Sequence, residues 1–260
     1  MKNQITHSLL FVIFIITLLS TTSCGSKRDI LYFQDYDQSN NQYNIGYSAR
    51  IMPNDNLFIT VTASNPNAVE VFNMAQFSRG SITNASLDVF GYLVDQNGNI
   101  NLPLVGELQV AGLTKSEVTD LIQERINVYL EEKPIVNVRI LNFKVHIMGE
   151  VVRPGTYTIT DERISIPHAL SMAGDLTIFG ERKTIKLTRI ESDGKINTHI
   201  IDLTKGDIFN SPYYYLRQND VIYVSPNKAR IGASAYNQSI PLVISIVSAT
   251  LTLGAFLLRF

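Results

Sequence analysis

Long predominantly apolar runs occur only near the two ends of this chain, Leu9 to Leu19 and Pro241 to Leu258. Between them, apolar positions either alternate or recur at helical spacing. Leu57 to Thr62 alternates and predicts a strand. Residues 66–88 show neither period and read as a long irregular insertion. Tyr92-Leu93-Val94 and Ile100 to Leu104 flank Asp95-Gln96-Asn97-Gly98, a tight-turn signal, and a short strand follows over Leu108 to Ala111. Thr114-Lys115-Ser116-Glu117 is a capping box, and the helix it opens places Val118, Leu121, Ile122, Ile126, Tyr129 and Leu130 on one face until Pro134. Ile135 to Ile140 predicts a further strand.

A second set of elements follows. Val145 to Met148 predicts a strand, Gly149 and Arg153-Pro154-Gly155 turns, and Thr156 to Ile159 another strand. Ser165 caps a short helix through Met172, with Pro167 in its first turn and Gly174 near its end. Thr184 to Ile190 and Thr198 to Leu203 are strands around an Asp193-Gly194 turn, and Val221 to Val224 closes the set. Short strands, few helices and many turns predict an α+β chain of two small domains, 48–142 and 143–226, the second a small α+β or β-grasp unit.

The ends carry the membrane signals. Residues 1–23 read as a signal peptide: Lys2 is the positive start, the apolar core is too short to span a bilayer, and small residues follow. Cys24, the only cysteine, comes directly after it and resembles the lipidated cysteine of a bacterial lipoprotein signal, although Thr21 stands where that signal usually has Leu. A lone cysteine in an exported chain has no intramolecular disulfide partner, so lipidation gives it a role. Ser26 points the same resemblance to the outer membrane, and polar, aromatic-spotted residues 24–47 suit an extended tether. At ~1.5 Å per residue the C-terminal run would make a helix of about 27 Å, so 237–260 is expected to be a transmembrane helix. Gln238, Ser245, Thr252 and Arg259 recur every seven residues, and Pro241, Ser248 and Ala255 form a parallel series. Two readings of this stripe stand: hydroxyls bonded back to their own helix in a single anchor, or a polar face turned to water among copies of the helix.

Composition narrows the classes. With 22 Lys and Arg against 23 Asp and Glu, the net charge is −1 and gives no basic footprint for nucleic acid. His146, His168 and His199 are not at metal-ligand spacing, and no nucleophile elbow or phosphate-binding glycine loop occurs. No catalytic residue, metal or cofactor is expected, and turn geometry accounts for Asp55 and Glu150. Tyr213-Tyr214-Tyr215 reads as a hairpin edge or subunit contact before a glycan-stacking platform.

A family resemblance rests on these segments in order. Ile51-Met52-Pro53-Asn54-Asp55-Asn56-Leu57 resembles the opening "I-x-PGD-x-L" of the outer-membrane polysaccharide export proteins, the Wza-type lipoproteins. Gly98, Pro103 and Gly106 fall in "dG-x-I-x-lP-x-iG", and Gly112 in "v-x-G-lT". Met148-Gly149-Glu150-Val151 with Pro154-Gly155-Thr156-Tyr157 resembles the start of a soluble-ligand-binding (SLBB) β-grasp domain, Leu170 to Gly174 its "l-x-x-AGG", and Arg189 its strand arginine. Asn54-Asp55 and Asn219-Asp220 replace Gly-Asp; Asn most readily takes the left-handed conformation, so the turns are expected to survive, whereas Asp175 replaces a second glycine.

The resemblance implies a polysaccharide export domain, one SLBB domain and a C-terminal transmembrane helix. It implies a homo-oligomeric ring in the outer membrane, lipid-anchored at Cys24, with its globular domains in the periplasm and in contact with membrane lipids. Gln238, Ser245, Ser248, Thr252 and Arg259 would face the lumen of a ring of C-terminal helices through which a capsule or exopolysaccharide polymer passes. The implied partner is an inner-membrane polysaccharide co-polymerase, often of the tyrosine-kinase type. The alternative is a lipid-anchored periplasmic module that binds a glycan or a protein without forming a pore.

Overall fold

The computed structural model describes residues 27–35, 48–73, 91–161, 163–191, 194–234 and 239–257. In the first domain β1 (Asn56–Thr62) alternates in burial, turning Leu57, Ile59 and Val61 inward. Helix α1 (Pro66–Asn73) buries Val69 and Phe72 against it. Then come β2 (Tyr92–Leu93) and the hairpin of β3 (Asn99–Leu102) and β4 (Gly106–Gln109). Helix α2 (Lys115–Ile126) begins as the capping box requires: Glu117 N–H donates to Thr114 Oγ1 at 3.3 Å, and Thr114 N–H donates to Glu117 Oε2 at 2.7 Å. Its buried Val118, Ile122 and Ile126 share a core with Val136 and Val138 of β5 (Ile135–Ile140), each side chain contributing about 1.5–3 kcal/mol by burial. The sheet runs β2-β1-β5, all antiparallel, with Leu57 opposite Ile140 and Thr62 opposite Ile135.

The second domain starts three residues after β5 ends. It comprises β6 (Lys144–Gly149), β7 (Gly155–Thr158), α3 (Ile166–Met172), β8 (Ile185–Ile190), β9 (Ile196–Ile201) and β10 (Val221–Val224). Its sheet runs β7-β6-β10-β8-β9, with β6 and β10 parallel and the other pairs antiparallel. Ser165 caps α3 by accepting the His168 N–H at 3.3 Å, and Ala169 and Leu170 pack into a core with Val145, Ile147, Leu187 and Ile222. One helix on one face of a five-stranded mixed sheet is the β-grasp plan expected from the sequence. After β10 come α4 (Lys228–Ser234) and α5 (Ser239–Leu257).

Several expectations need correction. The start of the supposed irregular insertion is α1; its signal is local, with Pro66 in the first turn and the Asn67 N–H bonded to Asn65 Oδ1. Residues 74–90 lie outside the described residues. Four strands are shifted by one or two residues from their expected places, β3, β4, β7 and β9, because alternation marks a strand better than its ends. Tyr129 is not on the buried face of α2: the helix tightens into a single 3-10 turn after Ile126, leaving Tyr129 exposed and donating to Leu104 O at 3.0 Å.

The largest correction concerns the membrane. No helix among the described residues is long and apolar enough to cross one. Helix α5 has 19 residues, and Ser239, Ser245, Ser248, Thr250 and Thr252 interrupt it, whereas a span takes ~20 predominantly apolar residues. Residues 237 and 238 and 258–260, the ends of the expected span, lie outside the described residues, as does the expected signal peptide 1–23.

Residues 27–35 also differ from the extended tether expected of them. They pack on the second domain, with Phe33 N–H donating to Leu203 O at 3.1 Å and Gln34 N–H to Thr204 O at 2.8 Å. The Phe33 ring lies 4.9 Å from that of Phe209, and Arg182 sits over the Tyr32 ring at 5.3 Å. Burial, then the hydrogen bond to Asp175 Oδ1 at 2.6 Å, pushes the Tyr32 hydroxyl up to about 12.

Candidate functional site

The two domains meet through a turn of the same build in each. In the first, Asn54 has φ 70°, Asp55 N–H donates to Met52 O at 3.1 Å, and Met52 N–H donates to Asp55 Oδ2 at 2.8 Å. In the second, Asn219 has φ 62°, Asp220 N–H donates to Arg217 O at 3.2 Å, and Arg217 N–H donates to Asp220 Oδ2 at 2.7 Å. Each turn opens after a buried aliphatic residue, Ile51 or Leu216, and feeds a buried one, Leu57 or Ile222. The carbonyls of Asp55 and Asp220 each accept from the neighbouring strand, from Val94 and His146 at 2.9 Å. Asn takes the left-handed conformation in both, as its short amide side chain permits.

The carboxylates differ in their partners. Asp220 is 1% exposed and paired in fork geometry with the equally buried Arg189, Nε to Oδ1 at 2.9 Å and Nη2 to Oδ2 at 2.6 Å. Asp55 is 1% exposed, and its Oδ1 is without a hydrogen-bond partner among the described residues, as is Asn56 Oδ1. Burial raises the Asp55 carboxyl to about 6, and the Met52 N–H and the facing Gln218 amide only partly oppose that shift.

Asn142 and Gln218 tie the turns together. Asn142 Nδ2 donates to Asn54 O at 2.9 Å and its Oδ1 accepts from Asn56 N–H at 2.8 Å. Gln218 Nε2 donates to Asn142 O at 2.7 Å, and its Oε1 accepts from Lys144 N–H at 2.6 Å. At the same seam lies a cleft of about 270 Å³, lined among others by Ile140, Phe143, Lys115, Arg139, Asp161 and Arg163. The first domain supplies Lys115, the first residue of α2, and Arg139 from the outward row of β5. The second supplies Asp161 and Arg163, whose guanidinium lies 5.2 Å from the Tyr215 ring.

The sequence-predicted residues fall into three groups. Cys24, Gln238 and Arg259 lie outside the described residues. Ser245, Ser248 and Thr252 are exposed on α5, and their hydroxyls donate to carbonyls of their own helix, Pro241 O at 2.8 Å, Ser245 O at 2.9 Å and Ser248 O at 2.9 Å. The third group comprises turn positions. Pro53, Asn54 and Asp55 build the seam turn. Gly98 carries a carbonyl that accepts from both Val110 and Ala111 N–H, and a Cβ there would fall 2.5 Å from that of Ala111. Gly149 has φ 90° and lies so close to β10 that a Cβ would sit 2.0 Å from Val224 O. Pro103, Gly106 and Gly112 turn the hairpin and its exit, and Pro154 and Gly155 open β7. Asp175 keeps the second-domain turn with φ 71°, its Oδ1 accepting from Leu176 N–H at 2.7 Å.

Some participants were missed. Glu150 is more than a turn residue: Oε2 accepts from Thr177 Oγ1 at 2.9 Å and Oε1 meets Arg230 Nε of α4 at 3.2 Å, holding that helix to the second domain. The tyrosines of 213–215 are half-buried, with Tyr213 stacked on His199 at 3.8 Å. Asn142, Gln218 and the cleft residues carry no sequence signal, because their partners are distant along the chain. No group of three side chains able to hold a metal occurs among the described residues.

Comparison with known proteins matches residues 44–141 to the family model "Polysaccharide biosynthesis/export protein" and residues 143–224 to "SLBB domain". The chain is 38% identical over 105 residues to the EPS I polysaccharide export outer membrane protein EpsA of Ralstonia nicotianae, covering 39% of this chain and 27% of that protein. It is 32% identical over 137 residues to EpsA of Ralstonia solanacearum, covering 51% and 34%. It is 30% identical over 104 residues to the exopolysaccharide production protein ExoF of Rhizobium meliloti, covering 39% and 24%. The matched stretches thus span about a quarter to a third of the relatives' length.

Proposed function

Since this chain belongs to the Wza-type polysaccharide export family, we propose that it is an outer-membrane subunit of an exopolysaccharide export assembly. The observation that carries this reading is the export domain joined directly to an SLBB domain through the two-turn seam. Among the described residues the seam is built from backbone turns and amide bridges, which suits positioning of the two domains.

In this reading copies of the chain close into a ring, and the polymer passes along its axis. Lipidation at Cys24 anchors each subunit, with the two domains in the periplasm. Both routes towards the membrane leave from the second domain: residues 27–35 are bonded to it, and α4 is held to it by Glu150 and Arg230. The α5 helices gather in the ring, with Ser245, Ser248 and Thr252 turned to the lumen. An inner-membrane co-polymerase of the tyrosine-kinase type docks on the export domain.

A second reading, an anchored binding module without a pore, draws support from the α5 hydroxyls bonded to their own carbonyls, which need no water to be satisfied. One complementation experiment separates the two. In a strain lacking the chain, extracellular polysaccharide is expected to be lost and restored by the wild type. Ser245→Leu with Thr252→Leu should abolish that restoration if the helices line the passage, and leave it intact in a binding module. Undiminished polysaccharide in the deleted strain would overturn both.

A further inference from the structure

The strands of the second domain give it a near and a far end. Strands β6 and β10 run parallel from the seam, where Asn142 and Gln218 tie the turns together, and finish side by side with Val224 opposite Gly149. The six residues of β6, at ~3.3 Å each, carry the chain about 20 Å from the first domain. At the far end the turn 149–154, the loop 174–183 and the start of α4 are bonded together. Val152 N–H donates to Asp175 O at 3.0 Å, Thr177 N–H to Glu150 O at 3.0 Å, and Asn227 N–H to Phe179 O at 2.7 Å. Residues 27–35 join the same end through the Tyr32 hydroxyl on Asp175 and the ion pair of Asp29 with Lys183.

This end carries apolar side chains on its outside. Ile30, Leu31, Val152, Ile178, Phe179 and Ile231 are all exposed. One exposed apolar residue on a loop is ordinary, but these six come from four separate segments that the fold gathers at one end, and such a surface marks a partner. Where the chain goes next identifies that partner. Cys24 precedes Lys27 by three residues, a reach of at most about 11 Å. Ser234 ends α4 five residues before α5 opens at Ser239, a reach of at most about 18 Å. Helix α5 itself exposes aliphatic side chains along its described length. A lipid on Cys24 therefore brings the bilayer to the same end of the domain that α5 leaves, which is the end where the apolar side chains lie.

We propose that the far end of the second domain is a lipid-binding surface, with Ile30, Leu31, Val152, Ile178, Phe179 and Ile231 seated among the headgroups and upper acyl chains of the bilayer. The proposal rests on the outer-membrane reading and names the protein surface that meets lipid. Two tethers alone leave a domain free to tilt beneath a membrane, whereas apolar contact from four segments fixes its orientation. Because β6 and β10 run from that surface to the seam, the same contact holds the first domain on the side away from lipid.

The chain contains no tryptophan, so a single introduced Trp reports alone. The full chain, purified from membranes, is reconstituted in phosphatidylethanolamine–phosphatidylglycerol vesicles with and without brominated acyl chains. Reporters are Ile178→Trp and Phe179→Trp at the far end, and Val128→Trp and Ile135→Trp in the first domain, whose native side chains are more exposed. At the ~5–10 Å depth of an interfacial segment, bromine should quench the two far-end reporters roughly twofold or more and leave the first-domain pair unchanged. Adding Val152→Ser with Ile231→Ser should lower the quenching at Phe179→Trp while circular dichroism stays unchanged, since both side chains are exposed. Equal quenching at all four positions would overturn the proposal. So would far-end reporters left unquenched, whether or not their emission shifts to the blue as contact with a second copy would make it, and quenching that the two serines leave intact. Failure of the export reading is read separately, from extracellular polysaccharide in the deleted strain, so the two failures are distinguishable.

Discussion

The seam turns of the two domains share their backbone and part company at the carboxylate. Asp220 has Arg189 on both carboxylate oxygens; Asp55 has one backbone N–H on Oδ2 and no partner among the described residues on Oδ1. The turn itself needs only the bond from the residue three positions back, which both aspartates accept. The second oxygen is therefore released for other uses. In the second domain it locks β8 to the β10 turn through a buried ion pair. In the first it leaves a carboxyl facing Gln218 across the seam. One backbone solution thus serves a rigid core in one place and a sensitive junction in the other.

The largest effect should come from breaking the paired side. Arg189→Met leaves Asp220 buried without its cation and is expected to cost about 3–5 kcal/mol in urea unfolding of the second domain. Asp55→Asn keeps an acceptor for Met52 N–H and removes a buried charge, so it should cost little at pH 8 or stabilise. If both substitutions cost the same, the contrast between the turns fails.

A smaller effect is expected from pH. The Asp55 carboxyl is raised from 3.8 in the unfolded chain to about 6 in the folded one. Between these values the folded state holds a proton that the unfolded state has lost. The stabilisation is complete below about 4, declines as pH rises through about 6 and is absent above, a swing of roughly 1–3 kcal/mol. Unfolding free energy of the wild type relative to Asp55→Asn, measured from pH 4 to 8, should show this slope; a flat difference would remove the pH sensitivity of the first turn.

The smallest effect tests what the turns share. Asn54→Ala and Asn219→Ala place Cβ-bearing residues that lack the local amide in a left-handed conformation, at about 1 kcal/mol each, whereas Asn→Gly at either site should be close to neutral. Thermal denaturation of the four variants suffices. Unequal penalties for the two alanines would show that the turns are not equivalent backbones.

These variants also mark how far the sequence could be read. Alternation at Leu57, Ile59 and Val61 has a period that only a half-buried strand uses, and Thr114 with Glu117 satisfies helix N–H groups within four residues. The turns at Asn54 and Asn219 were expected from the family's Gly-Asp motif, and Asn keeps them because it tolerates the left-handed backbone. Helix α1 was missed because Val69 and Phe72 offer a single helical repeat, too short to show a period. The membrane span was read from apolarity and length, and no helix among the described residues meets both.

What the sequence determined by itself was therefore everything decided within a few residues: strand alternation, capping, turn conformation and the order of the two domains. The tertiary structure decided what distant segments do to each other. Arg189 reaches Asp220 across 31 positions, while Asp55 Oδ1 meets no partner among the described residues. Residues 27–35 fold back on Leu203 and Thr204, and Lys115, Arg139 and Arg163 come to line one cleft. The reason is physical: local bonds depend on neighbouring residue types, whereas pairing of buried charges depends on which surfaces hydrophobic burial brings together.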